Sequence, residues 1–208
     1  MEVQERILRT AAKLFMELGV RSVSMDDVAK ALSMSKKTIY KHYQDKDQLV
    51  FDTISMHIAE MEKNTTQIMT SEANPVLQIA KIADFVLEMN KNVHPSVLFD
   101  LQKFYPASYT HLTEHRNRFA LQSVNQNLQK GVELGLFRED MHRSRVARIY
   151  MCLIFSMFQN TLFDGEEIRS FREEYIETIK YHLHAVTTEK GKNLFKEISW
   201  LNFEKENL

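Results

Sequence analysis

The chain is poor in residues that break or staple a backbone. Its 208 residues include five glycines, three prolines and one cysteine. A single cysteine excludes an internal disulfide framework and fits a reducing compartment. It lies in the apolar run from Tyr150 to Phe158, where Cys152 reads as buried core filler rather than a reactive thiol. No stretch alternates apolar and polar residues over the length of a strand, so the chain reads as all helix. A phosphate-cradling glycine loop, a dinucleotide fingerprint and a G-x-S-x-G elbow are all missing, which leaves nucleotide chemistry and nucleophilic catalysis without support. Long hydrophobic runs are lacking as well. Val146 to Phe163 is the most apolar region, and Arg148, Ser156, Gln159, Asn160 and Thr161 interrupt it. Nothing reaches the ~20 apolar residues of a membrane span. The start, MEVQERILRT, lacks the basic-then-apolar order of a signal peptide, so a soluble cytoplasmic protein with no membrane partner is expected. A large excess of one charge sign is also absent. The net charge is -1, which argues against indiscriminate nucleic-acid binding.

What is present is a local concentration. Residues 1–50 carry nine Lys and Arg against seven Asp and Glu, leaving a net -3 for the remainder. Ser24 to Lys46 (SMDDVAKALSMSKKTIYKHYQDK) reads as two short helices joined by a tight turn. Ser24 can cap the first, with Asp27 three residues on in the capping-box position and Asp26 near the helix's positive end. Val28, Ala29 and Leu32 form its apolar stripe. Ser33-Met34 makes the turn, and Ser35 caps a second helix that buries Ile39 and presents Lys36, Lys37, Thr38, Tyr40, Lys41, His42 and Tyr43. Such a helix fits a major groove, its first turn near base edges and its flanks near phosphates. A charge run is commonly just a solvated face, but here four lysines (36, 37, 41 and 46) face only Asp45 and interleave with two tyrosines. That pattern predicts a helix-turn-helix reader of double-stranded DNA.

The flanks carry a family resemblance. Arg6 through Phe15, the Leu18-Gly19-Val20 stop, MDDVAKAL, SKKTIYKHY and the trailing Lys46-x-x-Leu49 resemble the amino-terminal domain of tetracycline-repressor (TetR) family regulators. The resemblance covers about the first fifty residues; beyond them only length and helical layout agree. It implies an all-α fold with a three-helix DNA-binding domain over 1–50 and a helical effector-binding and dimerisation domain over 51–208. It also implies a homodimeric repressor that a small, largely apolar effector releases from a near-palindromic operator, with Tyr40, Tyr43 and Lys46 at positions that grip the DNA backbone. Ser33 departs from the family's usual glycine. If the turn is left-handed there, serine costs ~1 kcal/mol.

The remaining helices are expected at about Val3–Leu18, Asp45–Thr70, Pro75–Asn92, Pro95–Phe104, Ala107–Leu134 (closed by Gly135), Arg143–Phe163 and Glu166–Val186. The tail beyond Thr188 reads as one extra helix containing Leu194, Phe195, Ile198, Trp200 and Leu201. Effector-pocket candidates are Phe85, Met89, Phe99, Phe104, Tyr109, Phe119, Tyr150 and Phe155; in a helical body most such residues are simply core, and the cavity itself is implied by the resemblance. The helix from Arg143 is apolar on more sides than one core can use, so a partner should cover the excess. A dimer seam is expected at Ile149, Leu153, Ile154 and Met157, with Tyr175, Ile179 and Leu183 from the next helix. One competing motif is His111-Leu112-Thr113-Glu114-His115, which fits the H-x-x-E-H pattern of inverted zinc peptidases. It lacks an identified third ligand, and with eight histidines in the chain an accidental match is not rare. A DNA-bound scaffold of the same fold without an effector is a further alternative. No cofactor is expected.

Overall fold

The computed structural model describes residues 2–159, 171–195 and 198. Eleven α-helices are assigned among them: α1 (Val3–Leu18), α2 (Met25–Ala31), α3 (Lys36–Tyr40), α4 (Lys46–Ser71), α5 (Pro75–Asn90), α6 (Val97–Phe104), α7 (Pro106–His115), α8 (Leu121–Glu133), α9 (Arg143–Gln159), α10 (Phe171–Val186) and α11 (Glu189–Phe195). Apart from an isolated bridge between Phe137 and Thr187, the described residues contain no strand, as expected of an all-α chain. No helix among them is long and apolar enough to cross a membrane. The predicted end of α9 at Phe163, the predicted start of α10 at Glu166, and Trp200 and Leu201 of the tail lie outside the described residues.

The chain divides into two compact units. One comprises Met1–Glu62 with Met89–Asn117, the other Lys63–Glu88 with Arg118–Leu208. This partition differs from the expected boundary at residue 50, because α6 and α7 pack into the amino-terminal unit. Its core joins Ile7, Ala11 and Phe15 of α1 to Val28 and Ala29 of α2, Ile39 of α3, Leu49, Val50, Ile54 and Ile58 of α4, and Val97 and Leu101 of α6. Each fully buried aliphatic side chain contributes ~1.5–3 kcal/mol.

In the second unit, buried Ile176, Ile179, Leu183 and Val186 line α10, and Leu128 anchors α8. Gly131 of α8 is required there, since a Cβ would meet the Phe137 ring at 1.9 Å. A buried polar seam ties the α4–α5 corner to α8. Gln78 donates to the carbonyls of Met69 (3.0 Å) and Glu72 (2.7 Å), while Asn127 donates to the Pro75 carbonyl and to Gln78, each at 2.9 Å. Gln78 thereby satisfies carbonyls left open at the end of α4, and Asn127 ties that amide to the start of α5.

One predicted helix is two. Instead of continuous α structure from Ala107 to Leu134, a π-helical turn at Arg116–Ala120 separates α7 from α8. None of its five residues is buried. A π turn absorbs one extra residue and rotates the faces on either side of it, so a single apolar period cannot be threaded through both helices.

Candidate nucleic-acid interface

The caps expected from sequence define the helix-turn-helix. The Ser24 hydroxyl accepts from the Asp27 amide at 3.2 Å, and the Asp27 carboxylate accepts from the Ser24 amide at 2.9 Å. The Ser24 hydroxyl also donates to the Asp27 carboxylate at 2.6 Å, and this bond first, then that from the Ser24 amide, holds the carboxyl below the usual carboxylate range. At the turn Ser33 has φ 52°, the left-handed conformation that the position demands, and carries the ~1 kcal/mol penalty of a side chain there. The Met34 amide donates to the Ala29 carbonyl at 2.9 Å to close it. Ser35 then caps α3 by accepting from the Thr38 amide at 3.1 Å.

Helix α3 lies on the core through Ile39 and turns the rest of its surface outward. Lys36, Lys37 and Tyr40 are exposed, Thr38 is half-buried, and Tyr40 retains 50% of its surface. Lys36 pairs with Asp26 of α2, so its ammonium already has a counter-charge. The α-helix ends at Tyr40; exposed Lys41 and half-buried His42 sit in the following turn.

Two of the expected DNA contacts are engaged elsewhere. Tyr43, expected at the DNA backbone, is 1% exposed and belongs to the hydrophobic core, because the turn after Tyr40 directs its ring inward. Burial, and then the nearby Asp52 charge, push its phenol up. Lys46, also expected at the backbone, is half-buried. Its Nζ donates to the Arg21 carbonyl at 3.4 Å and lies over the rings of Phe15 (5.7 Å) and Tyr105 (5.6 Å). Burial draws its pKa down, against opposing pulls from Asp100, Asp47 and Asp27.

Sequence reasoning did not single out Arg21 or Asp100. The Arg21 amide donates to Asp100 Oδ2 at 2.9 Å, and its guanidinium sits 4.8 Å from the Phe104 ring centre. Seventy-nine positions separate Arg21 from Asp100, so no local spacing could reveal the pair.

The other candidates distribute as follows. Met89, Phe99, Phe104 and Tyr109 fall in the amino-terminal unit, and Phe85, Phe119, Tyr150 and Phe155 in the second. Phe99 is an exposed ring beneath the Lys103 ammonium, and Tyr109 packs on the amino-terminal core. Of the expected dimer residues, Ile154, Tyr175, Ile179 and Leu183 are buried within the chain itself, Met157 is half-buried, and Ile149 and Leu153 are exposed. Cys152 is exposed too, contrary to its expected burial, because it shares the outer face of α9 with those two residues. In the zinc-like motif, His111 stacks on Phe51 at 5.0 Å, His115 faces Glu62 at 3.5 Å and Glu114 points to solvent. Among the described residues no group of three His, Cys, Asp or Glu side chains is placed to hold a metal ion, so the peptidase alternative gains no third ligand.

A capped three-helix head with an outward, cation-bearing third helix defines a helix-turn-helix protein of the DNA-binding class. Residues 7–53 match the profile described as bacterial regulatory proteins, tetR family. Over those residues the chain carries a tetR-family amino-terminal domain. It is 31% identical over 106 residues to the HTH-type transcriptional regulator YvaF of Bacillus subtilis, covering 50% of this chain and 54% of that one. The chain thus spans about half the length of YvaF. It is 26% identical over 171 residues to the regulator AcrR of Shigella flexneri, covering 78% and 79% of the two chains. With the transcriptional repressor KstR2 of Mycobacterium tuberculosis it shares 23% identity over 145 residues, 68% of this chain and 72% of the relative. The solved structure of KstR2, a ketosteroid transcriptional regulator, superposes with a TM-score of 0.63 at 18% identity, over 90% of this chain and 96% of that one. That likeness extends the shared fold well beyond the matched head.

Proposed function

We propose that the chain is a homodimeric transcriptional repressor that reads a near-palindromic operator through α3 and is released from it by a small, largely apolar effector. The observation that carries this reading is α3 itself. Its start is capped by Ser35, its inner face is locked by Ile39, and Lys37, Thr38 and Tyr40 are presented together on the outside, followed by Lys41. Lys37 and Thr38, in the first turn, are assigned to base edges and adjacent phosphates; Tyr40 and Lys41 are assigned to phosphates. Repression rather than activation follows the name of the relative KstR2.

Dimerisation is assigned to the outer face of α9, where Ile149, Cys152 and Leu153 stand exposed on one stripe, with exposed Tyr181 on α10. A two-fold axis there would explain a palindromic operator. The effector is assigned to the second unit, where Phe85, Phe119, Tyr150 and Phe155 are half-buried. It must bind the DNA-incompetent arrangement more tightly, since equal affinity for both shifts no equilibrium.

Selection of binding duplexes from a random-sequence pool with the full chain tests the reading. The expected product is an inverted repeat whose half-site centres lie about 34–36 Å apart. A pool that never enriches, or that enriches an unrepeated motif, would remove the dimeric operator reading.

A further inference from the structure

Three segments of the amino-terminal unit converge on one residue, Arg21. At the α1–α2 turn, Gly19 to Arg21, α6 adds a hydrogen bond to its apolar contacts with the head. The Asp100 carboxylate of α6 accepts from the Arg21 amide at 2.9 Å and from the Ser96 hydroxyl at 3.3 Å. On the opposite side of the same residue, Lys46 at the first position of α4 donates to the Arg21 carbonyl at 3.4 Å. The Arg21 guanidinium lies 4.8 Å over Phe104, the last residue of α6. Just ahead of α6, the His94 amide donates to the Met16 carbonyl at 2.6 Å. Gly19 has φ 85°, and a Cβ on it would meet the Ser96 hydroxyl at 2.6 Å, so a side chain at this turn would collide with the cap of α6.

Asp100 is only 5% exposed. A carboxylate buried to that degree is costly unless its lone pairs are matched. Here an amide, a hydroxyl and the nearby Lys46 charge match them, and a charge-assisted bond to a backbone amide is both short and directional. Such a bond fixes orientation more strongly than the apolar contacts of Val97 and Leu101 beneath it, which tolerate sliding.

The chain passes between the two units at three places: after Glu62 in α4, before Met89 in α5, and after Asn117 in the π turn. Helix α4, which carries the first passage, and α6, which lies in the stretch between the other two, both grip the head at Arg21. We propose that Asp100 is a positioning residue for DNA reading: with Lys46 it clamps the backbone of Arg21 from both sides and so sets the attitude of the recognition helix, and through it the half-site spacing that the dimer accepts. This rests on the dimeric operator reading above. A head released from the clamp keeps α3 intact but can swivel, so it loses discrimination between spacings before it loses the ability to bind DNA.

The test uses the full chain and the duplex that the wild type selects, together with duplexes carrying one or two extra base pairs between the half-sites. Each inserted pair moves the half-sites apart by about 3.4 Å and turns them by about 35°. Wild type should lose about tenfold or more in affinity per insertion. Asp100→Ala should bind the selected duplex about tenfold more weakly, yet lose less than about threefold per insertion. Asp100→Asn, which keeps an acceptor oxygen for the Arg21 amide, should restore the wild-type spacing profile. Lys46→Met retains the apolar stem over Phe15 and Tyr105 and should flatten the profile as Asp100→Ala does; it also serves if Asp100→Ala does not fold. Folded Asp100→Ala or Lys46→Met with a spacing profile parallel to wild type would overturn the proposal, whatever its overall affinity, because destabilisation alone lowers all duplexes together. A wild type indifferent to spacing would instead fail at the dimeric reading and take the clamp's role with it.

Discussion

His182, on α10, stacks against Tyr150 with ring centroids 4.0 Å apart, and burial pushes its pKa down from 6.5 to about 4. Its Nε2 is buried, with no hydrogen-bond partner among the described residues. The imidazole is therefore neutral in the fold at pH 7. Between pH 6.5 and 4 the unfolded chain takes up a proton that the folded chain refuses, so stability falls as pH falls through that window, by up to ~3 kcal/mol. Above pH 6.5 the residue contributes no pH dependence. His57, also lowered mainly by burial, acts in the same direction. His182→Phe keeps the stack and removes the titrating nitrogen. Thermal melts at pH 7, 6 and 5 should show a smaller decline for the variant, and an unchanged decline would exclude His182 as a source of the acid sensitivity. Residues differ in how plainly the sequence declares them. The Ser24–Asp27 capping box is local, and spacing alone identifies it; Ser33 is flagged by the family resemblance, which puts glycine at that turn. Tyr43 and Lys46 sit beside true surface residues in a basic, aromatic run, and nothing local separates a ring that turns inward at a helix end from one that stays outside.

Helices α9 and α10 show the same limit one level up. Their apolar periodicity is evident in the sequence, but period alone does not say which stripe meets the chain's own core and which meets a second copy. Burial separates them: Ile154, Tyr175, Ile179 and Leu183 are covered within the chain, whereas Ile149 keeps 60% of its surface. Charging the two stripes should therefore have different consequences. Ile179→Glu places an unpaired carboxylate in a full core and should unfold the protein. Ile149→Glu or Leu153→Glu should leave helicity intact and yield monomers by light scattering at micromolar concentration. A dimer that survives both exposed-face substitutions would place the interface elsewhere. The break between α7 and α8 lay beyond sequence reasoning for a different reason. Arg116, Asn117 and Arg118 are ordinary helix-surface residues, and the π turn they adopt leaves no compositional trace.

For the whole molecule, low net charge and a reading head with a local excess of cations point to selective rather than bulk attraction to DNA. The head was readable because caps, turn and recognition helix fall within one contiguous stretch that the tetR profile also spans. The grip on Arg21 was not, because its partners Lys46 and Asp100 come from distant helices. Base reading by α3 is checked by the affinity of wild type and Lys37→Ala for the selected duplex and for a scrambled duplex of the same composition, over a salt series. A side chain that contacts base edges contributes about 1–3 kcal/mol of discrimination, or roughly 5- to 150-fold. Lys37→Ala should collapse the ratio between the two duplexes by a factor in that range while scrambled-duplex binding changes far less. If Lys37→Ala and the equivalent Thr38→Ala both keep the wild-type ratio at every salt concentration, α3 is not the reading element.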